Sequence, residues 1–201
     1  MANERIVLGI DPGTRIMGYG FLKITGNKAQ MLGMGVINME KVETQYEKLA
    51  HILSQIDELV RLYKPTELAI ESPFIDKNIQ STLKLGRAQG VAIACCVSHG
   101  MAVSEYAPMV IKRALTGNGA AEKEQVAFML KRVLNLDLDR NPKYLDSTDA
   151  LAAAYCHFIK TTGPTAEAQN ANKGKKIKIS TGKSTSWESF VAHNPNRIAK
   201  K

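Results

Sequence analysis

Residues 6–10, Ile-Val-Leu-Gly-Ile, form an unbroken apolar run that Asp11-Pro12-Gly13 closes abruptly. A run so short and so uniformly apolar suits a strand covered on both faces, which requires a sheet with layers on either side. Residues 18–24 and 31–39 read as two further strands, and the Gly26-Asn27 pair between them is a hairpin signal. Glycines at 33 and 35 predict bends or close packing in the third strand. The period then changes. Tyr46, Leu49, Leu53, Ile56, Val60 and Tyr63 are spaced 3, 4, 3, 4, 3 and make one helical stripe, ended by Lys64-Pro65. A short buried strand at 68–70, a long helix over 78–98 and a strand over 102–106 come next. Helices over 108–115, 121–134 and 145–159 complete the pattern, with Gly117-Asn118-Gly119 as a loop. The order predicts an α/β fold over residues 1–160. Its mixed five-stranded sheet has a three-stranded antiparallel meander plus parallel strands, flanked by helices.

The chain has 201 residues, of which 44% are hydrophobic. That supports one ordinary domain with its own core and leaves no room for two. Net charge is +8, which suggests an anionic partner. The excess is uneven: residues 161–201 hold eight Lys and Arg against two Asp and Glu, so the body is almost neutral. Gly, Pro, Ser, Thr, Asn and Lys dominate that stretch, and a basic, disordered tail is expected there. Lys173, Lys175, Lys176, Lys178 and Lys183 would add non-specific attraction for phosphate, and Trp187, Phe190 and Val191 form a small apolar cluster within it.

Three cysteines make no disulfide framework and suit a reducing compartment. Cys95-Cys96-His99 and Cys156-His157 match no zinc-finger or ribbon spacing, so the cysteines read as core residues. The first apolar run is too short for a signal core, and residues 90–97 fall far short of a membrane span. The expectation is a soluble cytoplasmic protein that meets no membrane.

Carboxylates stand where buried elements would favour none. Asp11 directly follows the first strand and Glu71 directly follows the fourth, while Asp146 and Asp149 open the last helix three residues apart, on one face. Each has an ordinary explanation alone. Asp11 before Pro-Gly and Glu71 before Ser-Pro suit turns, and Asp146 and Asp149 suit a helix start. Together they suggest a site at the sheet edge. Four gathered carboxylates repel one another, and a divalent cation removes that cost. Hard oxygen donors suit Mg²⁺ or Mn²⁺. Two such ions about 4 Å apart can activate water and stabilise the leaving 3′ oxygen of a phosphodiester. Shared use of the four acids requires the first and fourth strands to be neighbours.

Four stretches resemble the bacterial Holliday-junction resolvases of the RuvC type, which have a ribonuclease-H-like fold. They are Gly9-Ile10-Asp11-Pro12-Gly13-Thr14 with Gly18-Tyr19-Gly20; Ala69-Ile70-Glu71 with Phe74 and Lys77-Asn78; the run from Leu83 to Ala92; and the run from Asp146 to Ala152. Lys112 and Gly119-Ala120-Ala121-Glu122-Lys123 also match, so the resemblance covers about residues 5 to 160 in order. It implies a homodimeric endonuclease that nicks two opposing strands of a four-way DNA junction. Metal would be held by Asp11, Glu71, Asp146 and Asp149, as two Mg²⁺ ions per site, with Mn²⁺ plausible.

The resemblance makes Phe74 a base-stacking residue, with Lys77 beside it, and gives Lys112 and Lys123 DNA contact and catalytic support. From the residues alone Phe74 could equally pack in a core, and both lysines could be solvated. Lys84 and Arg87 are weaker candidates. Gly86 and Gly90 lie four apart on the long helix and cost roughly 1 kcal/mol each against alanine, so a close packing partner is expected. The resemblance makes that helix the dimer-forming one, and extends to docking of a branch-migration helicase complex. Two other classes remain in view. A sugar-kinase or actin-like ATPase also opens with an Asp-Gly-Thr-like turn after a strand, but needs a second similar half. A non-catalytic junction-binding or structural protein would bind without cutting despite its four acids.

Overall fold

The computed structural model describes residues 4–73, 78–136 and 145–162. Three strands come first: β1 (Glu4–Asp11), β2 (Ile16–Thr25) and β3 (Lys28–Asn38). Then follow α1 (Gln45–Tyr63), β4 (Glu67–Glu71), α2 (Ile79–Ser98) and β5 (Ala102–Tyr106). The helices α3 (Pro108–Thr116), α4 (Lys123–Leu134) and α5 (Leu145–Thr162) complete the described fold. The five strands form one sheet in the order β3-β2-β1-β4-β5. β1, β2 and β3 pair antiparallel, while β4 runs parallel to both β1 and β5. Gly26, at φ +58, turns the β2–β3 hairpin, a conformation that glycine adopts without steric cost.

Side-chain alternation sends each strand's residues to two different cores. Leu8, Ile10, Met17, Phe21, Leu68 and Ile70 pack with Ile52, Ile56 and Val60 of α1 and with Ala88, Ala92 and Cys96 of α2. Val7, Leu22, Ile24 and Ala69 face the other way, against Ile111 of α3, Val126 and Leu130 of α4 and the alanines of α5. Both faces of β1 are therefore covered, as its unbroken apolar run requires.

Leu49, Ile56, Val60 and Tyr63 of the expected α1 stripe pack in the core, joined by Ile52 in place of Leu53. Ile52, Ile56 and Val60 are the helix's buried residues, whereas Tyr46 is 80% and Leu53 48% exposed. The spacing fits two adjacent stripes equally well, and α1 packs on the sheet and beside α2 at once, which selects between them. In α2 the expected partner for Gly86 and Gly90 is absent among the described residues: a Cβ at either position would meet none of them within 4 Å. Their face, with Ile79 at 70% and Leu83 at 51% exposure, is open. α4 starts later than expected because the Glu122 N–H donates to Gln125 Oε1 (3.0 Å), which places Glu122 before the helix. α5 continues to Thr162, where the Arg5 guanidinium donates to Thr161 Oγ1 (2.5 Å) and Thr162 Oγ1 (3.2 Å).

The contact between α5 and the sheet sets up the site. A Cβ on Gly9 would lie 2.0 Å from the Ala150 oxygen, and one on Gly18 would lie 2.0 Å from the Asp146 oxygen. Gly9 pairs with Gly20 across the β1–β2 ladder, and Asp11 pairs with Gly18. Glycines on the strands and Ala150, Ala153 and Ala154 on the helix thus let α5 rest almost directly on the backbone of β1 and β2. The first turn of α5 is held over the end of β1. Among the described residues no helix is long and apolar enough to cross a membrane.

Candidate active site

Asp11 has the facing of Val7 and Gly9, and Glu71 that of Glu67 and Ala69, so both acids turn toward the α5 side of the sheet. β1 and β4 are adjacent and parallel, and Ile10 pairs with Ile70. Asp11 and Glu71 are the next residues along each strand, side by side at the sheet edge. Asp146 and Asp149 descend on them from the first turn of α5. Carboxylate oxygens of Asp11, Asp146 and Asp149 all lie within 4.8 Å of one another. Glu71 is outside that tight group but lines the same cleft of about 230 Å³ with Asp11, Asp149, Lys112 and Lys123. Pro108, Ile111, Val126 and Ala152 form its apolar wall.

Crowding of acids in this cleft has an electrostatic cost. Burial, then repulsion from Glu71, Asp149 and Asp146, pushes Asp11 up to about 8 against the pull of Lys123. Burial and Asp149 push Glu71 up to about 7, with Lys123 and Lys112 opposing. Lys123 Nζ donates to Asp149 Oδ2 at 2.5 Å. Burial pulls the Lys123 amine down, but Asp149, Asp11 and Asp146 outweigh it and raise it overall. The lysine neutralises part of the cluster, and two raised acids remain. Their oxygen donors fit a hard divalent cation such as Mg²⁺ or Mn²⁺.

Residues 7–157 match the family model described as crossover junction endodeoxyribonuclease RuvC. The chain belongs to the RuvC family of crossover junction endodeoxyribonucleases. RuvC of Bacteroides fragilis is 48% identical over 195 residues, spanning 97% of this chain and 96% of that protein. RuvC of Porphyromonas gingivalis is 47% identical over 195 residues, 97% of each chain. The structure of Thermus thermophilus RuvC in complex with Holliday junction substrate is 31% identical, with TM-score 0.73, and covers 80% of this chain and 97% of that one. The chain is thus an endonuclease of DNA recombination and repair on the ribonuclease-H-like fold that the RuvC resemblance implies. The alignments with the first two relatives run well past the end of α5.

Of the acids and lysines named from the sequence, Asp11, Glu71, Asp149, Lys112 and Lys123 line one cleft, and Asp146 converges with Asp11 and Asp149. Phe74, Lys77 and the tail at 163–201 lie outside the described residues. Lys84 and Arg87 are exposed on α2. Cys95, Cys96 and Cys156 are free and buried.

Sequence reasoning missed a polar network at the other end of α5. His157 Nε2 donates to Glu67 Oε2 (2.5 Å), Arg5 Nη1 donates to the same oxygen (2.7 Å), and Tyr106 Oη meets His157 Nδ1 (2.7 Å). The signal was faint: Arg5 and Glu67 directly precede the apolar runs at 6–10 and 68–70, and His157 follows Cys156 on the last helix. A second group, Asp57, Cys95 and His99, also converges, but both Asp57 oxygens are engaged. Oδ1 lies 2.7 Å from His99 Nε2 and Oδ2 lies 2.7 Å from Arg61 Nε. This group ties α1 to the end of α2.

Proposed function

We propose that this protein is a homodimeric, metal-dependent Holliday-junction resolvase that makes paired symmetric nicks by phosphodiester hydrolysis. The observation that carries the reading is the cleft that Asp11, Glu71 and Asp149 line with Lys112 and Lys123, with Asp146 converging on Asp11 and Asp149. The Thermus relative's complex with a Holliday junction supports a four-way DNA junction as the substrate.

The four acids would hold Mg²⁺, or Mn²⁺ in its place, as two ions per site. Such ions, when bound, lower the pKa of an attacking water and offset charge on the leaving 3′ oxygen. The acids' task is to hold that charge in place. Lys112 and Lys123 draw the scissile phosphate toward the cleft. The apolar wall of Pro108, Ile111 and Val126 limits bulk water on one side. Phe74 would stack on an unpaired base at the junction centre, with Lys77 on a nearby phosphate.

The open face of α2 supports the dimer. Ile79, Leu83, Gly86 and Gly90 form an apolar, close-approach stripe that a second copy would cover, relating two clefts by a two-fold axis as a junction's two scissile phosphates are related. A branch-migration helicase complex is the proposed further partner. Three unpaired thiols suit the reducing cytoplasm. We assign the chain through the end of α5 at Thr162 to the nuclease domain, two residues beyond the expected boundary, and 163–201 to a basic tail that adds non-specific phosphate attraction.

The deciding experiment is cleavage of a synthetic four-way junction with Mg²⁺ and with EDTA, mapping both nicks. Symmetric nicks only with Mg²⁺ are expected. An intact junction with Mg²⁺ and freshly folded protein would overturn the proposal.

A further inference from the structure

Glu71 is gripped from both sides of the sheet. Its side chain enters the cleft beneath α5, while its backbone is reached from the opposite layer by Gln89 of α2. Gln89 is buried, and its amide Nε2 lies 3.4 Å from the Glu71 carbonyl oxygen and 3.1 Å from Glu105 Oε2. A carboxylate only accepts, so Glu105 fixes the amide with its NH₂ toward the strand end. Both contacts are then donations from one nitrogen.

A buried amide is a costly choice at this position. Its neighbours on the inner face of α2 are Ala88, Ala92 and Cys96, and an apolar side chain would fill the space with no polar group to satisfy. The amide is placed where β4 ends. Beyond Glu71, the Ser72 N–H donates to the Tyr106 oxygen. The peptide between residues 71 and 72 is thus held by β5 on its nitrogen and by Gln89 on its oxygen. These two bonds anchor the end of β4, and without them the main chain at residue 71 is free to shift and carry the Glu71 carboxylate away from Asp11 and Asp149.

We propose that Gln89 is a positioning residue for junction cutting, holding the Glu71 main chain in register, with Glu105 as its orienting partner. The proposal rests on the reading of the acidic cleft as the nuclease centre. Gln89 touches neither substrate nor metal, and it acts through Glu71.

The test compares Gln89→Met, Glu105→Ala and Glu105→Gln with the wild-type full-length chain and with Asp11→Asn, by Mg²⁺ titration of junction cutting. Gln89→Met keeps length and packing but has no donor. It should lower the maximal cutting rate roughly 10- to 100-fold, since a misplacement of about 1 Å at a reacting centre has that effect. It should also raise the Mg²⁺ concentration for half-maximal cutting severalfold, with junction binding in EDTA unchanged. Glu105→Ala, at an exposed position, should show a smaller change in the same direction. Glu105→Gln retains an acceptor and should cut like wild type. A wild-type rate and Mg²⁺ requirement in Gln89→Met overturns the proposal. So does slower cutting with an unchanged Mg²⁺ requirement, which marks a packing role. Where Gln89→Met fails to fold, a normal Mg²⁺ requirement in Glu105→Ala overturns it. Wild type that cuts no better than Asp11→Asn sinks the nuclease reading instead, so the two failures are told apart.

Discussion

Gly18 and Asp146 meet main chain to main chain: a Cβ on Gly18 would lie 2.0 Å from the Asp146 carbonyl oxygen. No side-chain movement can relieve that clash, because the obstacle is the backbone of the first turn of α5. Gly18→Ala should therefore destabilise the fold by about 1–3 kcal/mol through overpacking. It should also slow cutting about 100-fold, because Asp146 and Asp149 are lifted from Asp11 together. Denaturant unfolding and junction cutting check the two effects, and a Gly18→Ala protein of wild-type stability and activity would remove the glycine floor from the explanation of the site.

The metal-free cleft should weaken the fold as pH rises. Asp11 has an ordinary value near 3.8 in the unfolded chain and about 8 when folded. Between those values the native state holds a proton that the unfolded state has lost, so stability falls with increasing pH across that window. Glu71, raised to about 7 from 4.5, adds to the same trend. Asp11→Asn should accordingly stabilise the protein in EDTA at pH 8 by about 1–2 kcal/mol while abolishing cutting. Added Mg²⁺ should raise the melting temperature of the wild type more than that of the variant. Equal Mg²⁺ shifts in the two proteins would show that Asp11 is not part of the ion-binding set.

Lys123 offsets part of the acid repulsion through its 2.5 Å contact with Asp149. Lys123→Met should leave the apo protein less stable by up to about 1 kcal/mol, since the amine is more than half exposed and solvent already screens the pair. The Mg²⁺-induced rise in melting temperature should be larger than in the wild type. If Lys123 also meets phosphate, the log–log salt slope of junction binding should fall by about one. An unchanged slope would confine the residue to the acid cluster.

The far end of α5 predicts acid sensitivity. Burial alone would raise Glu67, but hydrogen bonds from His157 and Arg5 outweigh it and hold the carboxyl down at about 2. A carboxyl with a lowered folded pKa contributes stability that is complete above its unfolded value of 4.5 and fades as pH falls toward 2. Because a fifth of the Glu67 side chain stays exposed, the contribution is taken as about 1–2 kcal/mol. In Glu67→Gln, the fall in stability between pH 4.5 and 2 should be shallower than in wild type. Parallel unfolding curves across that window would exclude the network as the cause.

Pairing through α2 has a direct test. Leu83→Glu puts a charge on the open stripe without touching either core, so the fold should persist while the protein sediments as a monomer and its nicks lose their pairing. Wild type that is monomeric at concentrations where it makes paired nicks would refute the α2 dimer.

What the residues revealed on their own follows from how local each signal is. β1 and β4 were legible because an apolar run closed by an acid needs no distant information. The adjacency of β1 and β4, on which the whole site depends, is a property of sheet order and stayed open until the Ile10–Ile70 pairing was seen. Most of the α1 stripe was legible, but Leu53 and Ile52 fit the period almost equally, and only the presence of α2 decides which is covered. Gln89 gave no signal at all, since a lone glutamine in a helix is ordinary until its amide is found under Glu71. The glycines at 86 and 90 meet no close partner among the described residues, and the proposed second copy is what would approach them.

The three thiols have a practical corollary. Cys95, Cys96 and Cys156 are sealed in the cores, and burial, the leading cause at each, raises all three above the usual thiol value, Cys96 to about 12. Maleimide and methanethiosulfonate reagents attack the thiolate, so the native protein should remain dark to them. A single cysteine installed on the outer surface of α4 could then carry a fluorophore or spin label against no background, and report in real time how the arms of a junction open over the cleft.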